Sequence, residues 1–230
     1  MNTILFVSCR RNYLPKKTKT TMKYSLSILT FLILTSFTYA QATWTFEKEK
    51  NGVKAFSRIK EGKDFYEFKT VNTIEGDIYQ VKKLITDIEN FKEWMPNTTE
   101  SKVLKKINDY NFYAYTVTST PWPASSRDAV FLMTIEKLSD KEYKILLDGK
   151  PDYIENQKNY VRITENEGVW HLKEIAPNKV EITYVGSFNP GGYYANFVIK
   201  NNMIEGRFKT MSSFIKELKS RRVQASSENK

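Results

Sequence analysis

The chain has 230 residues, of which 40% are hydrophobic, and its 36 basic and 26 acidic residues give a formal net charge of +10. Six of the basic residues and no acidic residue lie in the first 40 positions, so the remaining chain carries only +4 and its charge gives little support to nucleic-acid binding. The only cysteine, Cys9, lies in the same stretch, which excludes a disulfide framework, a thiol nucleophile and a thiolate metal site from the remaining residues.

The first forty residues have the pattern of a targeting segment. After Met22 comes a short basic start, an apolar stretch over residues 26–37, and Thr38-Tyr39-Ala40, with small residues at the positions that signal peptidase inspects. About a dozen apolar residues are too few to span a bilayer, which takes about 20. We expect residues 1–40 to be a leader and signal peptide with the true start at Met22, and cleavage near Ala40 to release an exported protein, periplasmic or secreted, with one domain at 41–220 and a polar tail at 221–230.

Between residues 43 and 189, short runs of β-branched and aromatic residues are separated by turn signals at intervals of roughly ten residues, a pattern typical of a meandering antiparallel sheet. Asn51-Gly52, Glu61-Gly62 and Pro177-Asn178 are such signals, because these residues tolerate or pre-set turn geometry. The pattern predicts strands at residues 53–58, 65–74, 102–108, 112–119, 129–138, 143–147, 160–166, 169–175 and 180–188.

Two segments follow a helical period instead. Ile78, Val81, Ile85 and Ile88 recur at spacings of three and four, and Asp77 is placed to cap the first turn. A longer helix with the same spacing continues until the basic residues that begin at Arg221. Its stripe comprises Phe197, Asn201, Ile204, Phe208, Met211, Ile215 and Leu218. A curved antiparallel sheet that ends in one long amphipathic helix can enclose a cavity, but a solid core fits the same pattern.

An ordered set of short motifs runs from the first predicted helix to the start of the last. The motifs are Glu93-Trp94-Met95-Pro96-Asn97, Glu100-Ser101-Lys102-Val103-Leu104, Pro121-Trp122-Pro123, Arg127-Asp128-Ala129-Val130, Val161-Arg162, Gly168-Val169-Trp170 and Asn189-Pro190-Gly191-Gly192. In this order they resemble the motifs of the StAR-related lipid-transfer (START) domain family, and the resemblance covers roughly residues 44–218.

The resemblance implies an α+β helix-grip fold, of the START and Bet v 1 kind, in which a curved antiparallel sheet and a long C-terminal helix surround one lipid-sized cavity. The alternation of strand residues sends Phe131 and Met133 inward. Together with the helix stripe and the family's pattern, this gives the expected lipid-binding set: Thr116, Phe131, Met133, Ile182, Tyr184, Phe197, Asn201, Ile204, Phe208 and Met211.

The sequence departs from the family's pattern in two places. The family usually has a proline before the closing helix, where this chain has Ala195. Sterol-carrying members place an acid and an arginine on neighbouring cavity strands, and the matching positions here are the uncharged Thr116 and Met133. An unpaired buried charge is costly, so a chain that lacks the acid is expected to lack the arginine as well. Their joint absence argues against a sterol-type polar anchor.

Five further residues are expected to have structural or rim roles: Arg127, Asp128, Trp94, Trp122 and Arg162. Arg127 and Asp128 are adjacent on a strand and therefore point to opposite faces, so both cannot face one cavity. We favour a role for Arg127 in ordering a loop and a strand edge, because an arginine at a rim usually binds carbonyls and carboxylates.

The residues give little support to catalysis. The only histidine, His171, lies between Trp170 and Leu172 on a predicted strand and should face away from them, towards solvent. Without a cysteine or a second histidine, a Cys-His pair and the common zinc ligand sets are excluded, and no Gly-x-Ser-x-Gly elbow occurs.

The sequence therefore favours a monomeric carrier of a lipid or other apolar small molecule, with no chemical step, cofactor, metal or nucleic acid. The cations at the end of the last helix have two possible roles. They could make a transient contact with an anionic membrane, or they could simply be solvated near the carbonyl end of the helix dipole; these residues are Lys216, Lys219, Arg221 and Arg222. Two other functions stay open: a helix-grip cyclase or aromatase, and a structural envelope protein with a filled core.

Overall fold

The computed structural model describes residues 43–122, 124–189 and 196–228, and in the last range it describes the side chains of residues 200–224. The leader and its cleavage site, the Pro190-Gly191-Gly192 turn, Ala195 and the Phe197 side chain lie outside the described residues.

Ten strands and three α-helices make up the described chain. The strands are β1 Thr45–Lys50, β2 Val53–Ile59, β3 Tyr66–Glu75, β4 Thr98–Asn108, β5 Asn111–Thr118, β6 Arg127–Ser139, β7 Glu142–Gly149, β8 Val161–Arg162, β9 Asn166–Ala176 and β10 Lys179–Phe188. The helices are α1 Ile78–Thr86, α2 Phe91–Trp94 and α3 Asn196–Glu228, with a 3₁₀ turn at Ile88–Asn90 before α2. This order, a strand-rich chain closed by one long helix, confirms the predicted α+β class.

All the long strands join one antiparallel sheet in the order β1-β2-β3-β10-β9-β7-β6-β5-β4, and β8 pairs with β6 in parallel. Predicted turn residues reverse the chain in left-handed conformations: Asn51, Gly52, Gly62 and Asn178 have φ angles of 52°, 75°, 70° and 55°. The sheet curves around the long helix, and this arrangement confirms the helix-grip fold.

Several strands begin a few residues earlier than predicted, the largest shift being that of β4, which begins at Thr98 rather than at 102. Two further differences concern whole segments. Strand β1 was not predicted, because five of its six residues are exposed and no apolar alternation marks it. The segment predicted as one strand at 160–166 contains only the two-residue strand β8, and the chain then bends before β9 begins at Asn166.

The helices differ from prediction at their ends. Asp77 caps α1 as expected, since its Oδ1 accepts hydrogen bonds from the backbone N–H groups of Tyr79 and Gln80 at 2.8 and 3.1 Å. Helix α1 ends at Thr86, however, and Ile88 is buried in the 3₁₀ turn that follows. Helix α3 continues to Glu228, beyond the predicted limit at Arg221.

Arg221 explains part of that extension, because it is paired rather than solvated. Its guanidinium contacts Asp87, just after α1, at 2.6 Å and Glu217, one turn earlier in α3, at 2.8 Å. Arg222 donates to the backbone carbonyl of Glu75 at the end of β3. These contacts hold the last part of α3 against the α1 end of the sheet.

The first described turns of α3 are tied to the edge strand β1 and its neighbour β2. Lys200 contacts Glu47 of β1 at 2.5 Å, Glu47 also accepts a hydrogen bond from the hydroxyl of Ser57, and Lys48 contacts Glu205 at 2.7 Å. Burial raises the pKa of the Glu47 carboxyl, but Lys200 and Ser57 outweigh it and hold that pKa below its ordinary value.

A second, small core lies on the outer face of the sheet. Asp128 and Arg162 form a buried ion pair there, with side chains 0% and 5% exposed and a Nη2 to Oδ2 distance of 2.8 Å. Arg162 also donates to the backbone carbonyls of Pro151, Ile154 and Glu155. Burial and the charge of Asp128 raise the pKa of Tyr115, whose ring packs in the same core. The pair thus fastens the segment between β7 and β8 to the outer face of the sheet.

Replacement of Asp128 by alanine should destabilise the protein by about 3–5 kcal/mol, because it leaves the Arg162 guanidinium buried without its counter-charge. Urea unfolding followed by circular dichroism measures this. The matched control is Asp140→Ala, which removes the carboxylate of an exposed pair with Lys137 and should leave the unfolding midpoint unchanged. Equal effects of the two substitutions would show that the Asp128 pair does not anchor this segment.

The Glu47 contact predicts a pH dependence of defined sign. Because the folded-state pKa of Glu47 is lowered, its stabilisation is fully present above the ordinary carboxyl pKa and is lost as the pH falls through the lowered value. Glu47→Gln should therefore cost up to about 1 kcal/mol of unfolding free energy at pH 7, and this difference from the wild type should disappear at low pH. Exposed Glu136→Gln is the control and should give no difference at either pH. A Glu47→Gln deficit that persists unchanged in acid would contradict the assignment.

Candidate functional site

The candidate site is formed by the concave face of the sheet and the side of α3 that packs on it. On β6, Phe131 and Met133 point to this face, and Ile182 and Tyr184 do so on β10; all four are buried in the main core. Thr116 of β5 follows Phe112 and Ala114 on the same face, is half-buried, and pairs with Ala129. The register therefore brings the five predicted strand residues to one surface.

Helix α3 covers this face with an apolar stripe. Ile204, Phe208 and Met211 are buried as expected, and the stripe continues through Phe214 and Leu218. The prediction that Asn201 belongs to the buried stripe is wrong, because Asn201 is exposed and the half-buried Met203 packs against the core instead. The side-chain amide of Asn201 is more stable in water than in an apolar core, which agrees with its exposed position on α3.

Phe214 is the residue that sequence reasoning missed. Its ring is fully buried, 5.4 Å from the ring of Trp94 at an interplanar angle of 71°, and 6.3 Å from that of Trp170. Its position three residues after Met211 was the available signal. Trp94, expected at a structural or rim position, is buried beside Phe91 and packs the helix α2 against α3.

Two buried side chains near the candidate site have polar atoms with no hydrogen-bond partner among the described residues, and one of them lies on β3. Asn72 is only 4% exposed, and neither its amide oxygen nor its amide nitrogen has a hydrogen-bond partner among the described residues. The indole Nε1 of Trp94 is buried and unpartnered as well. Such groups are rare in native proteins, since each costs about 1–3 kcal/mol when it is left unpaired. The signal in the sequence was Thr70 and Asn72 at the inward positions between Phe68 and Ile74.

Glycines shape the floor around Tyr184. Gly186 and Gly168 are paired across β10 and β9, and the Tyr184 ring lies over both. A Cβ at Gly168 would stand 2.8 Å from the Tyr184 hydroxyl oxygen, and one at Gly186 would overlap the ring. Glycine at these positions therefore lets the tyrosine lie along the sheet, where the Trp170 ring is 4.5 Å away and the Arg207 guanidinium of α3 is 4.7 Å away.

Of the remaining predicted residues, Arg127 lies at the start of β6 and the others lie away from this face. Arg127 is half-buried and donates a hydrogen bond to the Ser125 carbonyl, which fits its expected role in ordering the loop. Asp128 and Arg162 are on the outer face, and Trp122 is 92% exposed in the β5–β6 loop. His171 is on the outer face too, 2.6 Å from a Glu142 carboxylate oxygen.

Among the described residues, no helix combines the length and the apolar character that a membrane span requires. In the same part of the chain, no group of three or more His, Cys, Asp or Glu side chains is arranged to hold a metal ion.

Comparison with known proteins places the fold in a family. The sequence matches the START domain over residues 33–221. An uncharacterized protein of Pseudomonas aeruginosa is 26% identical over 168 residues, which are 73% of this chain and 83% of that protein.

Solved structures agree with this match. A STAR-related lipid transfer protein fragment from Xanthomonas axonopodis is 31% identical and superimposes with a TM-score of 0.70, covering 76% of this chain and 98% of the fragment. The human StAR-related lipid transfer protein 5 shares the fold with a TM-score of 0.72 at 16% identity, covering 87% of this chain and 98% of that one. With the curved sheet, the long closing helix and a family match over most of its length, this chain belongs to the START domain family.

Proposed function

We propose that the protein binds a lipid or another apolar small molecule between the concave face and α3, and carries it without a chemical step. The observation that supports this most is the combination of an apolar wall with the unpartnered Asn72 amide inside it. A ligand with an apolar body and one polar group would complement both features. Membership of the START family and the likeness to the Xanthomonas axonopodis lipid transfer protein support the same function.

The polar group of the ligand is held differently from that of a sterol in the family's sterol carriers. The matching positions, Thr116 and Met133, both belong to the concave face, and neither provides a charge. We therefore infer that the ligand does not depend on an acid–arginine pair across β5 and β6.

Two phenylalanines on α3 allow a test of the binding space. Phe214 is enclosed by Trp94 and Trp170, so Phe214→Ala should lower the free energy of unfolding by about 3–5 kcal/mol whether or not lipid is present. Phe208 faces the proposed ligand, so Phe208→Ala should cost less in the lipid-free protein and should reduce the stabilisation that lipid gives to the wild type. Thermal unfolding of the three proteins, delipidated and then supplied with the lipids that co-purify in native mass spectrometry, measures both effects.

Two outcomes would point to the other functions. A full core-sized loss for Phe208→Ala in the lipid-free state, with no lipid-induced stabilisation of the wild type, would favour a structural protein with a filled core. Conversion of the co-purified molecule into a product would favour an enzyme of the cyclase or aromatase kind.

We also propose that the protein acts outside the cytoplasm, because an apolar run and Thr38-Tyr39-Ala40 precede the domain. Intact-mass analysis of the protein from its native cells should give a chain that begins at Gln41. A protein recovered uncleaved in the membrane fraction, or with an N-terminus far from Gln41, would contradict export by this signal.

A further inference from the structure

Arg207 is a cation on the side of α3 that faces the sheet. It lies three residues after Ile204 and four before Met211, both of which are buried, and it is itself half-buried. Its guanidinium is 4.7 Å from the centre of the Tyr184 ring, which lies on the concave face of β10. The helix therefore places one arginine over the floor of the proposed binding space.

Arg207 differs from the other sheet-facing cations of α3 in having no acidic partner. Lys200 is paired with Glu47, and Arg221 is paired with Asp87 and Glu217. Within the part of the chain that the structure describes, the guanidinium of Arg207 contacts the Tyr184 ring, and none of its five N–H donors is bonded to a carboxylate or a carbonyl.

An unpaired guanidinium in this position is costly, because partial burial removes water from a charge that no protein group compensates. A contact with an aromatic face offsets only about 0.5–2 kcal/mol of such a cost. The planar N–H groups of arginine are matched to a carboxylate or a phosphate, which can accept two parallel hydrogen bonds. The Tyr184 hydroxyl, which extends over the paired Gly168 and Gly186, is a second donor on the same surface.

We propose that Arg207, with the hydroxyl of Tyr184, binds the anionic headgroup of the lipid carried by this protein. The ligand class is then an acidic amphiphile, with either the carboxylate of a fatty acid or the phosphate of a phospholipid as its headgroup. This inference rests on the proposed lipid-binding function and adds the polar specificity that Thr116 and Met133 do not provide.

The test compares charged lipids with neutral lipids that have the same chains. Binding of oleate and of its neutral counterpart monoolein to the delipidated full domain is measured by displacement of a fluorescent probe, and dioleoyl phosphatidic acid is compared with dioleoylglycerol in the same way. The wild type should bind the anionic member of at least one pair about tenfold or more tightly, the effect of one charge-assisted hydrogen-bonded pair. The pair that shows the preference identifies the headgroup as a carboxylate or a phosphate.

Arg207→Gln should abolish this preference by weakening the binding of the anionic lipid to the level of its neutral counterpart. Lys209→Gln is the matched control, because it removes the same charge from an exposed position two residues away on α3 and should retain the preference. Arg207→Lys keeps the charge without the planar fork and should retain part of the preference, and Tyr184→Phe should lower the affinity for the anionic lipid more than the affinity for the neutral one. Lipid-free thermal unfolding verifies that each variant is folded.

The possible failures can be told apart. Equal binding of the charged and neutral lipids by the wild type, or an unchanged preference in Arg207→Gln, would overturn the headgroup assignment and leave the lipid-carrier function standing. If the wild type bound none of the four lipids, both the assignment and the proposed function would be overturned.

Discussion

The packing of α3 against the concave face of the sheet is the contact on which the rest of the structure depends. The sheet has two faces, and only the concave face contributes the large set of buried apolar residues that forms the main core. Without the helix, this face would be exposed to water, since the strands cannot cover it themselves. Phe214 fixes the helix at the centre by inserting between Trp94 and Trp170, and the ion pairs of Lys200 and Arg221 fix it near its two ends.

The two halves of this helix differ in what they contact. Around Phe214 the aromatic rings are packed against one another, so this half behaves as ordinary core. Next to Phe208 along α3, Arg207 lies over the Tyr184 ring, and Lys48 of β1 lies 5.8 Å from the centre of the Phe208 ring. A binding space is more easily formed in the half that contains Arg207, because a ligand there can pair with its charge, whereas aromatic rings fill the half around Phe214.

The outer face of the sheet follows a different rule. There the segment between β7 and β8, rather than a helix, packs on the strands. Arg162 holds this segment in place, because it binds Asp128 and three of the segment's backbone carbonyls. The adjacent residues Arg127 and Asp128 therefore stabilise different parts of the structure from opposite faces of β6. Arg127 binds the loop before β6, and Asp128 secures the segment on the outer face.

The sequence by itself determined most strands, the turn residues and the faces of the strands, because these depend on spacings of two to four residues and on local backbone preferences. The helix-grip fold followed from the resemblance of its ordered motifs to those of the START family. It also placed Ile204, Phe208 and Met211 on the buried side of α3. Only the tertiary structure decided the partners of Asp128 and Arg221, which lie 34 and 134 residues away along the chain. The same holds for the exposure of Asn201, the unpartnered amide of Asn72 and the position of Arg207 over Tyr184. The spacing of residues along a helix or strand predicts the face from which a side chain projects. The residues that this side chain contacts depend on the register of the sheet and on how α3 lies across it.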